Sequence, residues 1–303
     1  MEKSLVTIAM PAYNHEKFVQ EAIKSVIDQN YDNIEFIIIN DCSTDNTHSK
    51  ICEMINLCKS RFVRFEYINS DKNNGITKTL SKCLKWAQGK YFSFTASDDI
   101  IFPYKISLLV NELESLPGNY AIVFGDATYI SDQGEVMKIR KGSVESESVM
   151  TVLASDRDDF NYLNEDEFGT YKTLFKGYLP TASWLAKTEC ILDVGGFNEN
   201  VFIEDMPFWM ALSKKYRFKF FNQSVAGYRI HSQNTSSSCK NKMLMSLLLF
   251  LESEREYCVQ NDLFDFWKNM MLLWLKEILQ RESISLEQKK YVIDVLRKVK
   301  INA

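Results

Sequence analysis

Over its first 125 residues the chain alternates short apolar runs with stretches of helical spacing, and this alternation constrains the fold more than any other feature. Runs at 5–10, 35–39, 62–68, 91–95 and 120–124 are too short for helices and are bounded by turn residues, so they read as strands. After the first, Phe18, Ala22 and Val26 recur with Val19, Ile23 and Ile27 on one helical face. Ser43 and Thr44 offer N-caps for a helix through Cys58, a third helix is expected over 76–87, and a fourth begins near Pro103, a favourable first-turn position. The run at 35–39 is apolar without a polar alternate, as a strand covered on both faces requires. A βαβαβαβαβ order predicts an α/β fold with a doubly wound, mainly parallel twisted sheet and helices on both faces. Such sheets bind ligands outside the carboxyl ends of their strands.

After Gly125 the pattern loosens. Over 145–167 eight acidic residues face one Arg with few large apolar positions, which predicts a mobile loop or lid. A strand over 181–186, a helix over 204–215 and strands over 217–221 and 225–230 follow. From Lys240 onward only helices are expected, over 243–260, 264–280 and 286–298. The expected organisation is therefore a domain over 1–238, in two halves at 1–125 and 126–238, followed by an all-helical extension over 239–303. The 303 residues, 46% hydrophobic and 25% charged, suffice for a sizeable core.

A net charge of −4 supplies no whole-molecule attraction for nucleic acid, which is not expected as a partner. The seven cysteines show no CxxC spacing and read as reduced thiols. The opening MEKSLVTIAMPAYN has too short an apolar stretch for a secretory leader, and the apolar run at 243–251 falls short of the roughly 18 residues a membrane span needs. A cytoplasmic location is expected.

The acidic residues fall where the binding edge should be. Asp41 follows the second strand in IIINDCSTDNT, and Ser97, Asp98 and Asp99 follow the fourth in YFSFTASDD. Adjacent carboxylates repel, and hard cations such as Mg²⁺ and Mn²⁺ accept carboxylate oxygens together with phosphate. Taken alone, an Asp-Asp pair reads first as an ordinary solvated helix start.

PAYN after the first strand, IIINDCSTDNT after the second, NNGITKTL followed by WAQGKYFSFTASDD, then VGGFNENVFIEDMPFWMAL and finally YRIHSQNTS together resemble the family 2 glycosyltransferases of GT-A fold. The resemblance covers residues 1 to about 236. It implies a uridine pocket from Pro11, Ala12, Tyr13 and Asn14 with Asp41 on the uracil N–H, although turn chemistry also explains Pro11 and Asn14. It implies a DxD-type motif at 97–99, with Ser97 and Asp98 on the nucleotide side and Asp99 on a Mn²⁺ or Mg²⁺ that bridges the diphosphate of a UDP-sugar. Gly75 would allow close backbone approach to the nucleotide and Lys78 a charged contact, while Leu80 and Ser81 stand where the family often shows an Arg-Asn pair.

Glu204 and Asp205 match the family's ED motif, which implies Asp205 as general base with Glu204 beside it; ordinary helix-start charges are the alternative. His231 would join the metal or diphosphate, or be a structural residue at a strand end. His15 and His48 lie at expected helix starts and read as structural or solvent-facing.

The implied chemistry is an inverting single displacement from a UDP-sugar to a glycan hydroxyl. Without a QxxRW motif or a membrane channel the resemblance implies a non-processive enzyme, of the kind that builds O-antigen or capsule repeats on a lipid diphosphate carrier. A sugar nucleotidyltransferase or a nucleotide-sugar-binding assembly subunit is the alternative. The former normally carries a Gly-rich basic loop absent from MPAYNHEKF, and the latter would lack a base or metal carboxylate. Acceptor contacts are expected from the acidic excursion and from 178–184, where Pro180 and Trp184 would shape a sugar platform unless Trp184 is core.

Over 268–300 eight Lys/Arg face four Asp/Glu, with Met271, Leu272, Leu275 and Ile278 at helical spacing. Such a surface suits peripheral contact with anionic lipid on the cytoplasmic face of the inner membrane. Packing on the catalytic domain or on a second subunit is the alternative. Oligomeric state is not readable from the sequence.

Overall fold

The computed structural model describes residues 3–155, 161–177, 179–234, 239–280 and 284–301. Its first half follows the alternation: β1 (Val6–Ala12), α1 (Val19–Ile27), β2 (Ile34–Asn40), α2 (Thr47–Arg61), β3 (Arg64–Asn69), α3 (Ile76–Trp86), β4 (Tyr91–Phe94), a two-residue β5 (Ile100–Ile101), α4 (Lys105–Ser115) and β6 (Tyr120–Ile130). A small hairpin of β7 (Ile139–Lys141) and β8 (Val144–Ser146) leads to α5 (Val149–Ala154) and α6 (Tyr171–Lys176). Then come β9 (Trp184–Lys187), α7 (Thr188–Asp193), α8 (Asp205–Ser213) and β10 (Arg217–Arg229). The chain ends in α9 (Lys240–Ser253), α10 (Arg255–Gln260), α11 (Phe264–Leu279) and α12 (Leu286–Ile301).

One eight-stranded sheet has the order β3-β2-β1-β4-β9-β6-β10-β5. The pairs β3/β2, β2/β1, β1/β4 and β6/β10 are parallel, whereas β9 runs antiparallel between β4 and β6. All seven residues of β1 and of β2 are buried, which is why these strands read as unbroken apolar runs. The side-chain period of two divides them between two cores. Ala9, Ile37, Ile39, Phe92 and Phe94 face one, and Val6, Ile8, Met10, Phe36 and Ile38 face the other. The second core is closed by Val19, Ala22, Ile23 and Val26 of α1 and by Ile106, Leu109 and Leu113 of α4.

The C-terminal helices close the first core. Leu247, Leu251, Trp267, Met271, Leu275 and Val295 share one buried cluster with Phe92, Trp184 and Phe208. Of the two readings the sequence left for Met271, Leu275 and Ile278, lipid contact or packing on the catalytic domain, the structure shows packing: all three are buried in the protein's own interior. Trp184 is likewise core, packed on Phe92, Phe94 and Phe208, and is not an exposed sugar platform.

Four local expectations change. The strand expected over 181–186 begins only at Trp184, after a 3-10 turn over Thr181–Ser183. The strands expected at 217–221 and 225–230 are one strand, β10, whose polar interruption is a set of register shifts between Phe220 and Ala226. The helix expected over 243–260 breaks at Glu254, whose buried carboxylate meets Lys214 Nζ at 2.7 Å and the Tyr171 hydroxyl at 2.9 Å. In the acidic excursion the described residues contain β8 and α5, Glu145 pairs with Arg140, Asp166 with Arg217 and Glu165 with Lys219. Residues 156–160 of that excursion, and Tyr178, lie outside the described residues. Among the described residues no helix is long and apolar enough to cross a membrane.

Candidate active site

The loops leaving β1, β2 and β4 meet at the carboxyl edge of the parallel half-sheet. Pro11 and Ala12 end β1 and are buried, Tyr13 is exposed, and Asn14 takes a left-handed φ of 55°. That turn aims the Asn14 Oδ1 at the Thr44 N–H, 2.8 Å away, while the Asn14 N–H donates to Ser43 Oγ at 2.9 Å. Asn tolerates this conformation because its short amide can bond locally, and here the amide joins the first two loops.

Asp41 is buried and its carboxylate organises the 71–75 loop. Oδ1 accepts from the Asn74 N–H at 2.9 Å and Oδ2 from the Gly75 N–H at 2.8 Å. Gly75 caps α3 at φ 84°, with open space where a Cβ would stand, so glycine is required there by backbone conformation rather than by close packing. Lys78 is exposed on the first turn of the same helix, whereas Leu80 and Ser81 are buried.

The 97–99 turn divides its carboxylates. Asp98 Oδ2 lies 3.0 Å from His231 Nε2 and 3.5 Å from His15 Nε2, and His15 Nδ1 is 2.8 Å from Ser97 Oγ. Burial opposes charge on Asp98, but the His231 bond and the two imidazoles outweigh it and hold its pKa below the ordinary carboxylate value. Burial lowers the His15 pKa, with Asp98 opposing.

Asp99, the expected metal ligand, stands outside this group. Its Oδ1 accepts from the Arg229 N–H at 2.8 Å, and burial followed by the charge of Asp98 raises its pKa well above the usual range. The fully buried Lys105, a residue without a signal in the sequence, donates to the Ala182 carbonyl at 2.8 Å, and burial drops its pKa to about 7 against the pull of Asp99.

His15, Asp98 and His231 offer ligand atoms that all lie within 4.8 Å of one another. A carboxylate flanked by two imidazoles can hold a divalent ion, the carboxylate being the donor that suits Mn²⁺ best, and the residues present fit one. The hydroxyl of Ser97 orients His15 through its second nitrogen, as outer groups commonly do for metal-bound histidines. His48 by contrast bonds the Tyr67 hydroxyl at 2.7 Å on the surface of α2.

Glu204 and Asp205 open α8, both half-buried. Asp205 Oδ2 accepts from the Thr181 hydroxyl at 3.2 Å, and its Oδ1 from the Met206 N–H at 2.6 Å. Burial raises the Asp205 pKa, and burial together with the neighbouring Asp205 pushes Glu204 up to about 8. Both carboxyls are thus raised by burial, and at Glu204 the charge of Asp205 adds to the shift.

A doubly wound sheet with an antiparallel insertion, an acidic turn after β4 and a second acidic pair at a helix start is the GT-A architecture. The chain belongs to glycosyltransferase family 2: the pattern described as glycosyl transferase family 2 matches residues 7–172. A protein of Rickettsia conorii named an uncharacterized glycosyltransferase is 29% identical over 239 residues, 78% of this chain and 36% of its own length. The chain thus spans about a third of that relative. The Escherichia coli UDP-Glc:alpha-D-GlcNAc-diphosphoundecaprenol beta-1,3-glucosyltransferase WfgD is 32% identical over 128 residues, 41% of this chain and 48% of WfgD.

Among solved structures, Staphylococcus aureus TarS 1–349 in complex with UDP-GlcNAc superposes with a TM-score of 0.68 at 16% identity, covering 97% of this chain and 80% of TarS 1–349. The mannosyltransferase PcManGT of Pyrobaculum calidifontis, in complex with GDP-Man and Mn²⁺, gives 0.60 at 15%, covering 100% and 81%. At these identities the likeness establishes the fold.

Proposed function

We propose that the chain is an inverting, divalent-cation-dependent glycosyltransferase that moves one sugar from a UDP-sugar to a hydroxyl of a glycan carried on a lipid diphosphate. Assembly of a surface polysaccharide such as O-antigen or capsule is the setting this reading favours. The observation that carries it is the meeting of His15, Asp98 and His231 on the edge where the loops after β1, β2 and β4 converge. WfgD, by its name, uses UDP-Glc on a diphosphoundecaprenol acceptor, which supports the choice of donor and carrier.

In this reading His15, Asp98 and His231 would hold the cation, which would supply positive charge against the developing charge of the leaving diphosphate. Asp41 uses three of its roughly four lone-pair positions on Asn74 and Gly75 and keeps one on Oδ2 for the uracil N–H. Asp205, held by Thr181 and its own helix start, takes the proton of the acceptor hydroxyl as that oxygen attacks the anomeric carbon. Its raised pKa makes it a stronger base than an exposed aspartate. Attack opposite the leaving group inverts the centre and gives a β-linkage from an α-linked donor.

The test is release of UDP from a panel of UDP-sugars by purified protein with Mn²⁺, with Mg²⁺ and with EDTA. Metal-dependent release from one donor supports the reading, and calorimetric absence of UDP binding removes it.

A further inference from the structure

One peptide group, that between Val201 and Phe202, is held from both sides by side chains distant in sequence. Its carbonyl accepts from the Thr77 hydroxyl at 3.0 Å, and its N–H donates to Ser246 Oγ at 2.7 Å. Because a peptide unit is planar, two bonds on opposite edges fix both its position and its tilt. Thr77 and Ser246 are both buried, so water does not substitute for either hydroxyl. The Lys242 ammonium lies 4.0 Å from the Phe202 ring centroid and holds the next side chain as well.

The placement of Ser246 is informative. A serine in the middle of a helix commonly faces solvent or bonds the carbonyl four residues back. Ser246, within α9, instead receives a loop amide 44 residues upstream. Thr77 stands two residues beyond Gly75, whose N–H is bound by Asp41. Two residues after Phe202 come Glu204 and Asp205. The clamped peptide therefore ties the loop organised by Asp41 to the start of α8, with a residue of the C-terminal helices closing the link.

We propose that Thr77 and Ser246 are positioning residues for the Glu204–Asp205 carboxylates, and that α9 is a working part of the active site. The proposal rests on the transferase reading above for its catalytic consequence. Displacing a reacting group by about 1 Å costs on the order of 10²-fold in rate, so loss of one of two clamps is expected to cost roughly 10-fold.

The experiment compares the wild-type 303-residue chain with Ser246→Ala, Ser246→Thr and Thr77→Val. It measures kcat and KM for UDP release from the donor the wild type uses, calorimetric UDP affinity, and hydrogen exchange of the amides at 199–206. For Ser246→Ala the expected result is kcat lower by about 10-fold, KM and UDP affinity within about twofold, and faster exchange confined to 202–205. Thr77→Val behaves alike, and Ser246→Thr recovers most of the rate by restoring the hydroxyl.

Wild-type kcat in Ser246→Ala overturns the proposal. So does a parallel loss of rate and UDP affinity with faster exchange across the sheet, the mark of general destabilisation. If the wild type releases no UDP from any donor, the transferase reading fails separately. The exchange data then decide the clamp, and unchanged exchange at 202–205 in Ser246→Ala overturns it.

Discussion

The Arg229 guanidinium donates from Nε to the backbone carbonyl of Asp98 at 2.7 Å, fixing from below the turn whose side chain meets His15 and His231. Arg229 is fully buried, its Nη1 reaches the Ser131 and Asp132 carbonyls, and its Nη2 ends on Glu21 at 2.7 Å. A planar fork of five donors matches such a set of carbonyls, and a lysine does not. Arg229→Lys is expected to cost about 3 kcal/mol of stability, since buried carbonyls left unmatched cost roughly 1–3 kcal/mol each. Urea denaturation measures it, and a loss under about 1 kcal/mol removes this role.

Asp98 and Asp99 are expected to separate in metal binding. Asp98→Ala removes the carboxylate between the imidazoles and is expected to weaken Mn²⁺ binding at least 10-fold, whereas Asp99→Asn, which still accepts from the Arg229 N–H, is expected to leave it within a few-fold. Titration of Mn²⁺ by electron paramagnetic resonance reads both. The reverse ranking would return the metal to Asp99.

Asp205→Asn keeps an oxygen for the Met206 N–H and can donate from its amide nitrogen to the Thr181 oxygen, but it loses the proton acceptor, so transfer is expected to fall by about 10²-fold or more with UDP affinity unchanged. Full activity of this variant sinks the base assignment.

Glu204 supplies a pH signature. Its folded pKa of about 8 stands above the unfolded value of 4.5, so between these values the native state binds more protons than the unfolded state. Stability then falls as pH rises through that window. Glu204→Gln is expected to flatten the decline of Tm between roughly pH 4.5 and 8, and an unchanged slope in thermal scans would contradict the raised pKa.

Trp267 in α11 is 2% exposed and donates from Nε1 to the Leu251 carbonyl at 2.7 Å. Trp267→Ala is expected to destabilise the protein by about 3–5 kcal/mol. Loss of the first core along with the helices, seen as one cooperative transition by near-ultraviolet circular dichroism, would mark the C-terminal helices and the sheet as one folding unit.

Much of the fold is legible in the sequence because its signals are local. The apolar runs of β1, β2 and β4 and the one-faced spacing of α1 come from the solvent's preference acting on a period of 2.0 or 3.6 residues. Gly75, with its left-handed φ before a helix, is local in the same sense. Two broken patterns misled for the converse reason. The polar interruption of β10 is absorbed as register shifts against β6, and the continuous helical pattern over 243–260 is broken where Glu254 turns to Lys214 and Tyr171.

What the sequence determined by itself is the doubly wound order, the family and the positions of the acidic turns. What only the tertiary structure decided is which side chains share an edge. His15 and Ser97 are 82 residues apart, Asp98 and His231 are 133 apart, and Phe202 meets Ser246 across 44. No periodicity records such distances, because loop closure costs only about (3/2)RT ln n and leaves the chain free to bring any two loops together. The choice among them, including Asp98 rather than Asp99 beside the imidazoles, was made by the packing of Arg229 beneath the turn.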